Sequence, residues 1–373
     1  MKVNLLVALY RDAYFHHSFG YAVRDLQFLD ALASLDVVER VTIINRPVSI
    51  LERALFRKPI ARRIESDKIN TIDQLSTDIF GALKGRGWAE DVYPSCIDQL
   101  LISEKSDSHI NVFLDFLPIG CFSEKLLDGW LYWYDFIDNF KKHNRFSKTE
   151  KDLVKKKYDF AARNANFVSS VSAACLEAND LSLMKNSMVI SNKVYVPKGQ
   201  TSNPLKLASN AQFDFGFIGF VTDKLDVKFV EMVSERYKVA IYGKVLDGET
   251  KRQLSRLKNV TLLGAFSYSD VPAICRTFKV GLLPYLQEKS HDGSPLKLYE
   301  YMKFNIPCLT SMDYEISDTR FIRNYNCSKD IDSDIEDMLS VSGNDLISSS
   351  IRKEWHLSYC VNEALNAVVQ SRV

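Results

Sequence analysis

The sequence predicts an α/β protein of two domains, each built on a parallel sheet covered by helices on both faces. Three observations predict it. At 373 residues the chain is long for one core, since single domains usually run to about 100 to 200 residues. Short apolar runs alternate with helix-period segments in both halves, the pattern of a parallel sheet with crossover helices. Between the halves, Val196 to Asn210 (VPKGQTSNPLKLASN) concentrates Pro, Gly, Ser, Thr and Asn without apolar periodicity, as an interdomain linker does. The expected division is a first domain over 1–195, a linker over 196–212, a second domain over 213–345 and a C-terminal helical segment over 346–373.

In the first half the strand-like runs are Val3 to Leu9, Val41 to Asn45, Asn111 to Asp115, Trp130 to Tyr134, Phe167 to Val171 and Met188 to Ile190. After the first, Ala22, Leu26, Leu29 and Ala33 recur at helical spacing and mark one face of a helix. The second half repeats the design with Phe215 to Gly219, Val239 to Tyr242, Val260 to Gly264, Val280 to Pro284 and Ile306 to Thr310. Helical segments are expected between them near 224–236, 247–257, 269–277 and 295–304. The tail from Asn344 carries Ile347, Ile351, Trp355, Leu357, Cys360, Val361, Ala364 and Val368, an apolar stripe suited to a long helix returning to the first domain.

Composition narrows the function classes. With 46% hydrophobic and 25% charged residues the chain is globular, not disordered. Forty-eight Lys and Arg against 47 Asp and Glu leave a net charge of +1, and no base-stacking motif is visible, so no nucleic-acid partner is expected. Seven scattered Cys, with no CxxC pair and no His at zinc-finger spacing, argue for a reducing, cytoplasmic setting and against a structural metal. The N-terminal apolar run ends in Arg11 and Asp12 without a small-residue cleavage site and reads as a first strand. The longest apolar stretch, Ile110 to Phe122, is interrupted by Asp115 and falls short of the roughly 20 residues of a membrane span.

The segment most informative about chemistry is HDGSPLKLYEYMKFNIPCLTS, residues 291–311. A polar, Gly-containing loop opening onto a helix exposes unpaired backbone N–H groups and the positive end of the helix dipole, which suits a phosphate or diphosphate. Lys297 lies in the first helical turn and reaches the same anion. Glu300 is one turn further, placed for a bidentate hydrogen bond to a ribose diol, and Asp292 stands at the mouth of the loop. The structural alternative for Lys297 and Glu300 is an exposed i,i+3 ion pair.

The run SPLKLYEYMKFNIPCLTS, preceded by VGLLPY and NVTLLGAFSYSDVP, resembles the donor-site segment of GT-B glycosyltransferases. Asp292 stands in the place of the first acidic residue of the family's pair and Glu300 in the place of the second. FGFIGFVTDKLDVKFV, residues 215–230, is similar to the first strand and phosphate-side loop of the family's second domain. LYWYDFIDNF, residues 131–140, is similar to a Tyr-Asp-x-x-Asp segment of bacterial polysaccharide glycosyltransferases of the GT4-like and xanthan glucuronosyltransferase-like kind. NFVSSVSAACLEA and VISNKVYVP occupy the place of a further family stretch, with Lys193 where the family has Gly. The resemblance covers most of the C-terminal half and only patches of the N-terminal half.

The resemblance implies two Rossmann-like domains facing a central cleft, with the acceptor on the first and a nucleotide sugar on the second. Gly219, Lys224, Ala265, Phe266, Asp292, Ser294, Pro295, Leu296, Lys297 and Glu300 are then donor-site residues: Gly219 admits the diphosphate, Lys224 and Lys297 neutralise it, Glu300 takes the ribose, and Ala265 and Phe266 border the base. No cofactor and no metal is implied, since fixed cations and helix-end amides stabilise the leaving diphosphate. The acceptor hydroxyl needs a base. Asp138 ranks first, then Asp135, then His16 and His17 in the loop after the first strand; for either Asp the alternative is capping of a helix near Asn139. The implied activity is transfer of a sugar from a UDP-linked donor to a glycan or lipid-linked glycan acceptor in bacterial capsule, exopolysaccharide or O-antigen assembly. Closure about the linker would exclude water. A UDP-sugar epimerase of the same fold and a non-catalytic nucleotide-sugar-binding module are the alternatives.

Two basic runs, Leu51 to Arg63 and Lys141 to Lys157, suit the anionic inner face of a membrane, and a solvated charged face is the competing reading. His109, His143 and His356 are isolated and carry no expected role.

Overall fold

The computed structural model describes residues 2–49, 51, 53–54, 62–76, 88–181, 186–197, 211–316, 321–341 and 351–372. From 198 to 210 the expected linker lies outside them, as do Phe56, Arg57, Lys58 and Ile60 of the first basic run and Ile347 of the tail. By contacts the chain divides into two compact units. One is Met1–Ser191 with His291–Gly293 and Leu357–Val373; the other is Asn192–Ser290 with Ser294–His356.

The first unit is built on strands β1 (Val3–Ala8), β2 (Val38–Ile44), β3 (Val48–Ser49), β4 (Ile69–Ile72), β5 (Leu75–Ser76), β6 (Ile110–Asp115), β7 (Leu131–Phe136), β8 (Phe167–Ser170) and β9 (Ser187–Val189). Among the described residues seven of these form one sheet in the order β4-β2-β1-β6-β7-β8-β9, and β3 pairs with β5 separately. Every pairing is parallel. The sequences explain the placement: VNLLVA of β1 and LYWYDF of β7 are buried along their whole length, as interior parallel strands covered on both faces must be. The helices are α1 (Ala13–Phe19), α2 (Arg24–Ser34), α3 (Trp88–Ser103), α4 (Lys148–Asn164) and α5 (Ala173–Glu177). Ser147 and Glu150 form a reciprocal capping box at the start of α4. The C-terminal helix Leu357–Gln370 buries Leu357, Val361, Ala364, Leu365 and Val368 and packs against α2.

Among the described residues the core of this unit contains two ion pairs. Arg24 of α2 grips Asp135 of β7 through two bonds of 2.9 Å, with both side chains buried. Lys157 of α4 lies 2.6 Å from Asp115 at the end of β6 and 4.0 Å from the Phe122 ring centroid, fully buried. Lys157 therefore belongs to the core and not to the basic surface expected of its run: its position on α4 turns it inward with Val154, Tyr158 and Ala161, while Lys155 and Lys156 are exposed.

The second unit carries β10 (Phe213–Ile218), β11 (Val239–Tyr242), β12 (Val260–Gly264), β13 (Phe278–Leu283), β14 (Cys308–Thr310) and β15 (Ile322–Asn324). They form a parallel sheet in the order β12-β11-β10-β13-β14-β15. Its helices are α6 (Val227–Ser234), α7 (Gly248–Leu254), α8 (Val271–Ile274), α9 (Leu296–Lys303) and α10 (Ile331–Ser340). Asp226, Asp247 and Asp330 cap α6, α7 and α10 through their side chains. One apolar cluster, with Phe278, Leu298, Tyr301 and Met302, covers one face of the sheet; another, with Phe217, Phe229, Val233 and Ile335, covers the other.

The strand orders explain where sites arise. From β10 the chain moves outward through β11 and β12, then returns to the other side of β10 with β13. A doubly wound sheet leaves a crevice at the carboxyl ends of the strands where the order reverses. In the second unit that point lies between β10 and β13; in the first it lies between β1 and β6.

Candidate functional site

In the second unit, Gly219 directly follows β10, with φ at +115°, a value side-chain-bearing residues rarely adopt. Its N–H donates to the Tyr242 carbonyl at 2.8 Å, and a Cβ on it would lie 2.5 Å from Cε and 2.9 Å from Nζ of Lys297. Gly243, at the end of β11, is packed so tightly that a Cβ there would collide with the Gly219 carbonyl. The backbone is thus pared down where the strands reverse, and Lys297 fills the space.

Lys297 sits in the first turn of α9. Pro295 is the N-cap, and no side chain caps the helix, so its first amides face the loop uncapped. Nζ lies 5.0 Å from the Phe217 ring centroid and 5.5 Å from that of Tyr285. Burial lowers the pKa of this ammonium to about 8. A cation held over aromatic faces at an uncapped helix start is suited to an anionic ligand.

Glu300, one turn on, is only 6% exposed. It is not half of an exposed pair with Lys297. Its Oε1 accepts a 2.6 Å bond from the Tyr268 hydroxyl, and Lys303 Nζ stands 4.0 Å from Oε2. Burial raises the Glu300 pKa; the Lys303 charge and the Tyr268 bond oppose that rise. Ala265 is exposed and Phe266 half-buried, in the segment between β12 and the turn that carries Tyr268. Lys224 is half-buried, its carbonyl accepting from Leu286 N–H at 2.8 Å, so the segment after β10 is tied to the one after β13. The Ser294 carbonyl accepts from Asn192 Nδ2, and Ser294 Oγ donates to the Tyr299 hydroxyl at 3.3 Å. Lys193, in the place of the family's Gly, pairs with Glu315 at 3.3 Å. The structure brings Gly219 and Lys297 together and sets Glu300 one turn away; Leu296 lies beside them in α9.

Asp292 lies in the first unit with its neighbours His291 and Gly293. Its φ is +61°, its Oδ2 accepts from Asn139 Nδ2 at 2.8 Å, and its Oδ1 pairs with Lys142 at 2.8 Å. Asp138, two residues beyond β7, belongs to the same cluster: Oδ2 is 3.2 Å from His291 Nδ1 and Oδ1 accepts Asn139 N–H at 3.0 Å. The Tyr158 hydroxyl donates to the Asp138 carbonyl at 3.1 Å. The His143 ring lies 4.6 Å from that of His291. His291 and Asn139 were not singled out by sequence reasoning, although His291 opens the segment 291–311; Lys142 was expected only as part of a basic surface run, and His143, expected to be isolated, instead lies against Phe140 and His291.

The other base candidates are placed differently. Besides the two Arg24 bonds, Asp135 Oδ2 accepts from Ser169 Oγ at 2.5 Å, so both oxygens are engaged in the core. Neither Asp caps a helix near Asn139: Asp135 is inside β7, and the short turn Phe140–Lys142 has Asn139 as its N-cap with no side-chain bond. His16 lies in α1, not in a loop, because Asp12 accepts the Phe15 N–H and starts a helix there. Its ring packs 4.5 Å from Tyr21, and burial lowers its pKa against the opposing charge of Asp30. His17 is exposed. Among the described residues no helix is long and apolar enough to cross a membrane.

No protein-family model matches the chain, and no curated protein sequence matches it. Solved structures do. Over 98% of its length the chain is similar to 99% of Anabaena HepE, solved in complex with UDP-glucose, at 13% identity and a TM-score of 0.61. It is similar over its full length to 97% of the N-terminal domain of Candida albicans trehalose-6-phosphate phosphatase, at 10% identity and a TM-score of 0.59. AviGT4, a glycosyltransferase involved in avilamycin A biosynthesis, is similar over 98% of this chain and 97% of its own, at 9% identity and a TM-score of 0.56. At such identities the likeness shows the fold: two parallel-sheet α/β domains of the GT-B glycosyltransferase type.

Proposed function

We propose that the chain is a metal-independent glycosyltransferase that moves a sugar from a UDP-linked donor to a hydroxyl acceptor in bacterial surface polysaccharide assembly. The observation that carries the reading is the arrangement in the second unit of Gly219, Lys297 and Glu300. A backbone without side chains, a cation at an uncapped helix start and a buried carboxylate one turn on match a diphosphate followed by a ribose. The UDP-glucose bound by HepE, of the same fold, supports the choice of nucleotide.

As the bond to the anomeric carbon breaks, negative charge develops on the leaving diphosphate. Lys297, Lys224 and the α9 amides stabilise that charge from fixed positions. Glu300 orients the nucleotide through its ribose, with Ala265 and Phe266 beside the base. Asp138 takes the proton of the attacking hydroxyl, and its bond to His291 aims the carboxylate. The acceptor is a glycan or lipid-linked glycan held by the first unit. Exposed Arg145 and Lys148 of that unit suit an anionic membrane surface on the cytoplasmic side.

Calorimetry against UDP, GDP and CDP, without and then with magnesium, tests the reading. Metal-independent binding of UDP that disappears in Lys297→Ala is the expected result. Binding of none of the three would remove the donor site.

A further inference from the structure

We infer that Tyr268 is a positioning residue for nucleotide recognition, holding the Glu300 carboxylate by one oxygen so that the other receives the ribose hydroxyls. The inference rests on the donor-site reading of the second unit. The sequence suggests a carboxylate bonding a diol with both oxygens; the structure gives its two oxygens different roles.

Oε1 is already engaged by the Tyr268 hydroxyl at 2.6 Å. Oε2 is buried and has no hydrogen-bond partner among the described residues. Lys303 Nζ, at 4.0 Å, is beyond hydrogen-bond reach of Oε2 and contributes charge alone. A buried acceptor without a donor is costly, and native structures rarely keep one without a use. Tyr268 also comes from a different element than Glu300. It begins the turn Tyr268–Asp270, which Ser267 and Asp270 hold with a reciprocal capping box, and its ring lies 5.8 Å from that of Tyr195. The phenol is therefore fixed independently of α9 and restrains the carboxylate against rotation. It also favours the ionised form, which burial opposes, and an ionised acceptor makes the stronger bond to a ribose hydroxyl.

The test compares UDP with 2′,3′-dideoxy-UDP by calorimetry on the wild type, Tyr268→Phe, Glu300→Ala and the double variant. Tyr268→Phe is expected to weaken UDP binding by about ten-fold, the scale of one bond to a charged group. It should leave 2′,3′-dideoxy-UDP unchanged, and its effect on UDP should vanish in the Glu300→Ala background. Equal weakening of both ligands would mean that Tyr268 only supports the fold, and unchanged UDP affinity would also overturn the inference. A wild type that binds both ligands equally keeps the donor site but removes the ribose from Glu300, and with it this role. A wild type that binds neither defeats the donor-site reading itself and the inference with it.

Discussion

The side chain of Lys297 occupies the space that a Cβ on Gly219 would need, its Cε only 2.5 Å from that position. The glycine directly follows β10 and the lysine lies in the first turn of α9, so strand end and helix start interlock at the point where the order of the sheet reverses. The contact relates a missing side chain to a positioned cation.

Gly219→Ala is expected to act twice. The new methyl displaces Lys297, and a φ of +115° strains any residue with a Cβ, by about 1–3 kcal/mol. Urea unfolding should show that loss of stability, and calorimetry should show UDP affinity falling by at least as much as in Lys297→Ala. Unaltered binding would mean that Lys297 does not meet the diphosphate from where it stands.

The lowered pKa of Lys297 makes a pH prediction with a defined sign. Between about 8 in the folded chain and the ordinary 10.5 in the unfolded chain, the unfolded state binds more protons. Stability from this group therefore rises with pH across that window. UDP affinity moves the other way, because the cation is lost above about 8. Binding at pH 8.5 should take up protons, seen as a calorimetric enthalpy that depends on the buffer's ionisation heat, and Lys297→Met should abolish the dependence.

Arg24→Met should destabilise the first unit by about 3–5 kcal/mol, the scale for leaving one member of a buried ion pair unpartnered. Asp135 and Arg24 are both buried, and when the guanidinium is gone the Asp135 charge keeps only its Ser169 hydrogen bond. Denaturant unfolding measures the loss, and UDP affinity of the folded protein should be unaffected. A loss below about 1 kcal/mol would place the pair among those that contribute little.

Asp138→Asn is expected to leave UDP binding unchanged and to lower turnover by about 10²–10⁴-fold, the range for a general base. UDP release from the sugar nucleotide measures it. Full activity would remove Asp138 from the reaction and leave its bond to His291 as a structural contact.

The alternation of strands and helices was readable because each element carries its own local signal. Largely apolar runs such as VNLLVA and VFLD mark covered parallel strands, and Asp226 and Asp247 stand immediately before two of the expected helices; α10, which Asp330 caps, was not expected. The strands Ile69–Ile72 and Ile322–Asn324 escaped the reading because they are short edge strands, INTI and IRN, whose pairing comes from β2 and β14 rather than from their own composition. The loop and helix start proposed to hold the donor were legible as local structure for the same reason as the helices: Ser294 to Glu300 is contiguous, and adjacency along the chain dictates adjacency in space.

What each of those side chains does was decided elsewhere. Glu300 depends on a tyrosine 32 residues away, Asp135 on an arginine 111 residues away, and Asp138 on a histidine 153 residues away. Before folding, Asp135 and Asp138 are two similar carboxylates on one short segment. The sheet turns the first into the core, where burial demands Arg24 as partner, and leaves the second beyond the strand end beside His291. Sequence periodicity carries the local geometry of an element; burial and long-range pairing, which set the charge and the partner of a titratable group, exist only once the elements have packed.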